Sequence, residues 1–220
     1  MCGLAGIVGE VDLMEQVLLH MSAAQNHRGK ETPNSWVSSF IDARVGLMHN
    51  RMKTIDMAVA PKQPFEDNDT GLVVMLDGEI FNYEDVRRQL ENYYSFTTRG
   101  MCEVITKAYD RWGDGCFDRF EGYFSIVIYN RWSEELLLCR DRFGIKPLYY
   151  ATQRGNLFFA SEIKALFAGG IRSLLSAERW ASYLAYSTYG SPYETFWEGV
   201  HQLPAGFLLH YNGYCLLYTS

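Results

Sequence analysis

The sequence has no long apolar run and little cysteine, and both absences limit what the protein can be. No stretch of about 18 consecutive apolar residues occurs, so a membrane-spanning helix is not expected. The first residues, Met1-Cys2-Gly3-Leu4, lack the basic segment of a secretory signal peptide. The five cysteines are odd in number and lack CxxC spacing, which disfavours disulfides and zinc sites. We therefore expect reduced thiols, no metal, no membrane contact and a cytoplasmic location.

Positive charge is also in short supply. Lysine and arginine number 20 against 26 acidic residues, giving a net charge of -6, so a nucleic-acid partner is not expected. The five histidines lack HExxH spacing, which disfavours a metal enzyme, and no Walker A loop is found. What is present is ordinary globular composition, with 48% apolar residues in 220. This length fits one domain, or one domain with a short appendage.

Short apolar or alternating segments recur along the chain and predict strands. We expect strands over 3–8, 36–41, 43–49, 72–82, 123–130, 135–141, 147–152 and 157–160, and a strand pair over 207–217. Helical spacing predicts helices over 11–24, 82–93, 102–112, 162–167 and 177–186, with Asn82 and Ser161 as N-caps. Helices among hairpin-like strands indicate an α+β fold with mainly antiparallel sheets. The pattern leaves open whether there are one or two sheets.

The sharpest chemical feature is Cys2. Its small side chain is compatible with removal of Met1, which would leave Cys2 with a free α-amino group. That amine has an ordinary pKa of about 8, so it can act as a base toward its own thiol without a histidine. Taken alone, a cysteine at this position is more often a small buried apolar residue.

The motifs around Cys2 change that balance. The chain opens with MCGLAGIVG and continues with HRG from His27, HNRMKTID from His49, DGEIFN from Asp77, TTRGMCEVI from Thr97, FEGYFSIVIYN from Phe120, CRDRFGIKPLYY from Cys139 and FFASEIKAL from Phe158. In this order and spacing they resemble the class II glutamine amidotransferase domain of the glutamine-dependent asparagine synthetase family. The resemblance assigns residues 1–206 to that domain and residues 207–220 to a terminal strand or tail that starts a linker to a synthetase domain.

The resemblance implies an N-terminal-nucleophile (Ntn) hydrolase fold, an αββα sandwich of two antiparallel sheets flanked by helices. It implies that Cys2 attacks the side-chain amide of glutamine, forms a glutamyl thioester and releases ammonia. Arg51 matches the clamp on the substrate carboxylate, a task suited to a bidentate guanidinium. Gly78 matches the backbone N–H of the oxyanion hole, and Glu79 a substrate-contacting acid. Judged locally, these three would be a surface ion pair, a bulge glycine and a solvated strand residue.

Other matched positions have smaller expected roles. His27 and Arg28 match a loop near the site, and we do not make His27 the general base because the α-amine fills that role. Asp141 opens a turn for which we prefer a structural interpretation. Cys102 is expected to be a core thiol, as are Cys116 and Cys139.

The sequence departs from the family pattern at three places, two of them, Asp77 and Met101, inside the substrate pocket. Asp77 replaces an asparagine whose amide helps to bind the oxyanion; loss of one such donor typically lowers the rate by about 10²–10³-fold. A protonated Asp77 could still donate. Met101 replaces an aspartate that pairs with the α-ammonium of glutamine, and burying that group unpaired would cost on the order of 3–5 kcal/mol. Lys30-Glu31 replaces the usual proline-aspartate.

Three readings remain open. The domain hydrolyses glutamine, with Glu79 or another acid holding the ammonium; or it acts on an amide without a free α-amine, which Met101 would suit; or it serves a structural or partner-binding role. The first two require no cofactor in this domain. Family members carry ATP and magnesium in a synthetase domain with an SGGxD-type loop, which these residues lack. We therefore expect a synthetase domain or subunit as the ammonia acceptor, with the nitrogen acceptor and a homodimer left open.

Overall fold

A computed structural model describes residues 2–31, 33–38, 44–52, 62–188, 191–212 and 216–219. Its α-helices are α1 (Met14–Ala24), α2 (Tyr83–Leu90), α3 (Met101–Trp112), α4 (Ile163–Ala168) and α5 (Ala177–Tyr186). Its strands are β1 (Gly3–Val8), β2 (Asn34–Val37), β3 (Val45–Asn50), β4 (Phe65–Asp67), β5 (Leu72–Ile80), β6 (Gly122–Asn130), β7 (Glu135–Arg140), β8 (Tyr149–Gln153), β9 (Asn156–Ala160), β10 (Val200–Gln202), β11 (Leu208–Tyr211) and β12 (Leu216–Thr219). No helix within these ranges is long and apolar enough to cross a bilayer.

The strands form two antiparallel sheets. Within the described ranges each sheet has six strands, in the spatial orders β10-β8-β9-β1-β3-β2 and β12-β11-β7-β6-β5-β4. β1 lies in the middle of the first sheet, paired with β3 on one side and β9 on the other. In the second sheet β5 and β6 pair over their full length, from Leu72↔Asn130 to Ile80↔Gly122. The predicted α+β class is confirmed, and the number of sheets is two.

The two-residue period of β5 shows how the layers stack. Its even-numbered residues Leu72, Val74 and Leu76 pack in a cluster with α2 and α3, whereas Val73 and Met75 pack in a second cluster between the two sheets. A third cluster joins the outer face of the first sheet to α1 and α4. The order of layers is therefore α1/α4, first sheet, second sheet, α2/α3, the αββα sandwich that the motifs implied. Asp77 follows on the inter-sheet face of β5.

The glycine-rich β1 was predicted to approach other groups closely, and this is confirmed. Gly6 pairs with Phe159 of β9, and a Cβ on Gly6 would lie 2.1 Å from the Cζ atom of the Phe159 ring. A side chain at this position would therefore collide with an aromatic ring of the inter-sheet core. The ring fills the space that the glycine leaves.

Asn82 occupies the N-cap position of α2, as predicted, but its side chain does not cap the helix; the predicted N-cap Ser161 is wrong, because Glu162 precedes α4. Asn82 precedes α2, but its Nδ2 donates to the carbonyl of Arg119 at 2.9 Å and its Oδ1 accepts the Glu121 N–H at 3.0 Å. Ser161 Oγ accepts the Leu4 N–H at 2.9 Å, and no side chain caps α4. In both cases backbone groups distant in sequence bind the polar side chain that a helix end would otherwise use, and the buried Leu4 N–H is one that must be paired.

Several predicted bounds shift by a few residues. α1 begins at Met14, three positions later than predicted, and the two strands predicted over 36–49 become β2 and β3. Residues 39–43 of that prediction lie outside the described part of the chain. Cys102, Cys116 and Cys139 are free, buried thiols, as predicted; Cys215 lies outside the described residues.

The predicted terminal strand pair is present. β11 pairs with both β7 and β12, so the second sheet continues beyond residue 206. Where the amidotransferase domain ends and a linker begins stays a prediction.

Candidate active site

Cys2 immediately precedes the central strand β1 and is 8% exposed. Burial raises the pKa of its thiol, and the negative charge of Asp77 raises it further, although a hydrogen bond from the Met52 backbone acts in the opposite direction. The protonated thiol is therefore the favoured form, so a reaction at this sulfur needs a base.

Asp77 lies in direct contact with Cys2. The Cys2 backbone nitrogen donates to Asp77 Oδ1 at 3.0 Å. Lys146 Nζ donates to the same oxygen at 3.1 Å, and Arg28 Nη2 donates to Oδ2 at 2.8 Å. The carboxylate is 1% exposed, so two cations and one backbone donor replace its hydration.

Arg28 connects the Cys2 backbone to the other sheet. It lies in the 3-10 turn Asn26–Arg28, and its Nε donates to the Cys2 carbonyl at 2.8 Å. A second guanidinium nitrogen, Nη1, lies 3.3 Å from Glu162 Oε1. Burial alone would raise the pKa of Glu162, but hydrogen bonds from Lys164, His27 and Arg28 lower it below its ordinary value. Glu162 thus anchors Arg28 from the side opposite Asp77.

The turn after β7 directs Lys146 toward Asp77. The Asp141 carboxylate accepts backbone N–H groups from Phe143, Ile145 and Lys146 at 2.9–3.0 Å. Arg140 Nε donates to the Lys146 carbonyl at 2.7 Å. These contacts support the structural interpretation of Asp141, and they add a consequence: the turn fixes the backbone from which Lys146 reaches across to β5.

Gly78 follows Asp77 in a conformation that only glycine adopts readily. Its φ is +140°, and a Cβ would lie 2.0 Å from the Tyr123 carbonyl oxygen on β6. The strand continues through this position, so Gly78 does not end β5. Beyond it, exposed Glu79 accepts the Tyr123 hydroxyl at 3.1 Å.

Arg51 follows β3 on the side of Cys2. Asn50 pairs with Gly3, so the residue after β3, Arg51, lies beside the start of β1. Its Nε is 3.7 Å from Glu31 Oε2. Glu31, one of the two residues that depart from the family pattern, thus lies at the proposed carboxylate clamp, where a substrate carboxylate would meet its charge.

Met101 is the first residue of α3 and contacts the end of β5. Its Sδ accepts the Ile80 N–H at 3.4 Å. Nearby Glu103 is 2% exposed and accepts hydrogen bonds from the backbone and hydroxyl groups of Thr97 and Thr98. Burial alone would raise the pKa of Glu103, but these hydrogen bonds lower it. This acid holds the segment before α3 in place and does not substitute for the missing aspartate.

The structure therefore brings Cys2, Asp77 and Gly78 together, with Arg51 and Met101 on the flanking elements. Sequence reasoning placed Arg28 near the site without giving it a role, and it missed Lys146 completely. One signal was available: an aspartate within an apolar strand must meet cations or donors when buried. The sequence does not say which cations, because Arg28 and Lys146 are 49 and 69 residues away from Asp77.

Comparison with known proteins agrees with this architecture. The glutamine amidotransferase domain family matches residues 1–215. The glutamine-hydrolysing asparagine synthetase 2 of Bacillus subtilis is 40% identical over 173 residues, covering 76% of this chain and 22% of the relative. Asparagine synthetase 1 of the same organism is 30% identical over 198 residues, covering 87% and 30%. Amidase chry2 of Gibberella zeae is 32% identical over 183 residues, covering 83% and 26%. The chain thus spans less than a third of each of these relatives.

Solved structures show the same fold. Glutamine phosphoribosylpyrophosphate amidotransferase from B. subtilis, complexed with ADP and GMP, superposes with a TM-score of 0.71 at 18% identity, covering 99% of this chain and 49% of that one. An allosteric regulatory enzyme of purine biosynthesis gives 0.72 at 17% identity, with 99% and 48% covered. The fold is the Ntn-hydrolase sandwich, and from the family match over residues 1–215 the chain belongs to the class II glutamine amidotransferase domains.

Proposed function

We propose that this domain hydrolyses the side-chain amide of L-glutamine through Cys2 and supplies the ammonia to an ATP-dependent, asparagine-synthetase-like partner. The observation that carries the proposal is the position of Cys2, at the end of the central strand and in contact with the Asp77-Gly78 segment of the facing sheet. The names of the relatives support glutamine as the substrate. Because the chain spans only 22% of one such synthetase, the partner is part of the proposal.

The reaction follows from the groups at Cys2. Once Met1 has been removed, the α-amine takes the thiol proton through a water, and the sulfur forms a bond to the amide carbon. The carbon–nitrogen bond then breaks, and ammonia leaves with a proton returned from the ammonium. Water cleaves the thioester, giving glutamate and restoring the thiol. The Gly78 N–H is the proposed donor to the oxyanion, at a position where a side chain would collide with β6.

The contacts of Asp77 argue against the expected donor role. Both Asp77 carboxylate oxygens already accept hydrogen bonds, Oδ2 from Arg28 and Oδ1 from Lys146 and the Cys2 nitrogen, and none of these partners is an acceptor for a donated hydrogen. We therefore leave Asp77 out of the oxyanion hole. Without that second donor, glutamine turnover is expected to be about 10²–10³-fold slower than in an otherwise equal site that has both donors.

Arg51 and Glu79 are the proposed substrate-binding residues. Arg51 binds the substrate carboxylate in competition with Glu31, 3.7 Å away. Glu79, whose carboxylate is exposed and hydrogen-bonded to Tyr123, is the acid that we assign to the α-ammonium.

The test is release of ammonia and glutamate from L-glutamine by protein whose intact mass shows that Met1 is absent. Hydrolysis that is lost in Cys2→Ala supports the proposal. Retention of Met1 in the active protein, or equal hydrolysis by Cys2→Ala, would contradict it. Glu79→Gln should raise KM for glutamine with little change in kcat, because it removes the ammonium partner and leaves the nucleophile intact.

A second candidate is favoured by Met101. Its sulfur accepts a hydrogen bond from Ile80, and the Glu103 carboxylate is held by Thr97 and Thr98, so neither side chain supplies a free carboxylate for a substrate ammonium. An amide without a free α-ammonium, such as an N-acylated glutamine, would need no such partner.

Comparing kcat/KM for L-glutamine and N-acetyl-L-glutamine separates the two candidates. Preference for the acetylated compound, reversed by Met101→Asp, supports the second. Preference for free glutamine in the unaltered chain supports the first. Leu184→Asp, at an exposed position of α5, is the control for adding a negative charge away from the site.

A further inference from the structure

The nitrogen of Cys2 is the atom that would become the general base, and it already has a charged partner. It donates to Asp77 Oδ1 at 3.0 Å, across the gap between the two sheets. Hydrolysis of the Met1–Cys2 peptide bond by a methionine aminopeptidase adds one water, releases methionine and turns this nitrogen into an α-amine. The contact with Asp77 is then one between an ammonium and a carboxylate.

We propose that Asp77 is the counter-ion of the Cys2 α-ammonium in the chain that has lost Met1, and that Arg28 and Lys146 are positioning residues that hold its carboxylate. The inference rests on the proposed role of Cys2, because it names the group that governs the base of that site. It adds a specific property: the amine is held in its protonated form to higher pH than it would be beside an uncharged residue, so the reaction is favoured in alkaline solution.

Several independent hydrogen bonds fix the position of the Asp77 carboxylate. Arg28 reaches its Oδ2 at 2.8 Å while its own Nε binds the Cys2 carbonyl at 2.8 Å, so one guanidinium fixes both members of the pair. Lys146 reaches Oδ1 at 3.1 Å from a turn closed by Asp141 and Arg140. Asp77 itself is 1% exposed, and water does not compete for its oxygens. With a neutral asparagine at position 77, the α-ammonium would lie near Arg28 and Lys146 with no negative charge to offset their repulsion.

Other charges around the pair set how large the effect is. The groups that act on Asp77 or Cys2 come from several elements: Arg28 from the 3-10 turn, Lys146 from the turn after β7, His49 from β3 with Arg51 beside it, Tyr123 from β6, Cys102 from α3 and, behind Arg28, Glu162. Lys146 is the most informative of these, because it shares Oδ1 with the Cys2 nitrogen. Removing Lys146 leaves that oxygen to the amine alone.

Two substitutions should therefore move the amine in opposite directions. Asp77→Asn removes the counter-ion and lowers the titration midpoint of the amine, by about one pH unit or more for a charge within hydrogen-bond distance. Lys146→Met removes a competing cation and raises the midpoint. Asp67→Asn is the matched control, since it neutralises another buried aspartate whose cation, Lys107, lies on α3; it should leave the midpoint unchanged.

The measurement is made in a Cys2→Ala background, which removes the titration of the Cys2 thiol and the turnover proposed to depend on it. The chains are treated with a methionine aminopeptidase until intact mass shows Met1 absent, and are labelled with [¹³C]alanine. The labelled chain with Cys2 has no alanine at position 2, so the extra signal in the Cys2→Ala spectrum is assigned to the N-terminal alanine. The chemical shift of that signal is followed against pH. A lower midpoint for Asp77→Asn and a higher one for Lys146→Met support the inference. An unchanged midpoint for Asp77→Asn, or a downward shift for Lys146→Met, overturns it.

Glutamine hydrolysis by the same substitutions in the Cys2 chain separates this inference from the proposed function. If the midpoints move as stated and no chain hydrolyses glutamine, the counter-ion role of Asp77 holds and the glutaminase assignment fails. If glutamine is hydrolysed but the midpoints coincide, the glutaminase assignment holds and the counter-ion role fails. Should Asp77→Asn unfold because two cations lose a partner, the Lys146→Met shift decides alone.

Discussion

Asp77 and Asp67 are both buried aspartates that meet a lysine, yet their surroundings differ in kind. Asp67 is 7% exposed and pairs with Lys107 at 3.0 Å, with Thr106 Oγ1 at 2.9 Å as a second donor. Those partners lie on α3, so the cluster fastens β4 to a helix. Asp77 instead meets cations from two separate turns and the backbone nitrogen of Cys2, the proposed nucleophile.

The difference lies in what the partners of each carboxylate are. Burial alone would raise the pKa of Asp67, but hydrogen bonds from Lys107 and Thr106 lower it below its ordinary value. All of its partners serve packing. Around Asp77 there are two cations, one of which, Arg28, is shared with Glu162. The remaining donor is the Cys2 nitrogen, an atom that processing would make chemically reactive. That donor, and not the number of charges, distinguishes Asp77 from Asp67.

The largest expected contrast is between two buried thiols: Cys2, beside Asp77, and Cys116, in the apolar cluster against α3. Cys2→Ala should lower amide hydrolysis by roughly 10³-fold or more, because the nucleophile is lost. Cys116→Ala, at a fully buried thiol in the cluster against α3, should destabilise the fold while leaving kcat within a few fold. Steady-state ammonia release and urea unfolding of both variants check this. Equal losses of activity would remove the distinction between the regions.

The second contrast is in stability. Asp67→Asn leaves Lys107 buried with only exposed Asp69 beside it, and should lower the free energy of unfolding by about 3 kcal/mol. Because the folded-state pKa of Asp67 is below its unfolded value, its contribution is full above the ordinary carboxyl pKa of about 4 and is lost as pH falls through the folded value.

Urea unfolding at pH 7, 4 and 3 measures both effects. The variant should show a smaller loss of stability on acidification than the unaltered chain, with kcat for amide hydrolysis unchanged. A large fall in kcat would show that the Asp67 cluster also supports the site.

A third effect should appear at His49, whose charge interacts with Asp77. Burial lowers the pKa of His49 from about 6.5 to about 4, so the folded protein holds it neutral. The unfolded chain gains a proton at higher pH, and stability should fall by up to about 3 kcal/mol as pH drops from 6.5 to 4. His49→Gln should remove that slope, whereas His20→Gln, at an exposed position, should retain it. Denaturant midpoints across this pH range provide the measurement.

The smallest expected effect concerns Glu31. It shares the Arg51 guanidinium at 3.7 Å in a partly exposed pair worth up to about 1 kcal/mol. Glu31→Gln should therefore lower KM for glutamine by no more than about fivefold, with kcat unchanged. The matched variant Glu121→Gln, at the exposed residue before β6, should change neither constant. An increase in KM for Glu31→Gln would mean that Glu31 helps to bind substrate.

Much of this architecture could be predicted from the sequence, because local pattern and motif order dictate it. The apolar alternation of β5 and the helical spacing of α3 placed these elements within a residue or two. The hydrogen-bond partners of the Asn82 and Ser161 side chains could not be predicted, because the backbone groups that they bind are 37 residues or more away in sequence. The family match placed Asp77 at the oxyanion hole, and its two cations, 49 and 69 residues away, became visible only when the fold brought their turns together.

The most direct test of the central claim is to trap the intermediate on Cys2. Protein lacking Met1 would be mixed with L-glutamine, quenched in acid within the first turnover, digested with pepsin at acidic pH, where the protonated α-amine cannot take the glutamyl group from sulfur, and measured by mass spectrometry. The account predicts a glutamyl group on the peptide that begins at Cys2, absent from Cys2→Ala and cleaved by hydroxylamine as a thioester should be. Glutamine hydrolysis without any adduct on that peptide, or an adduct on another residue, would contradict it.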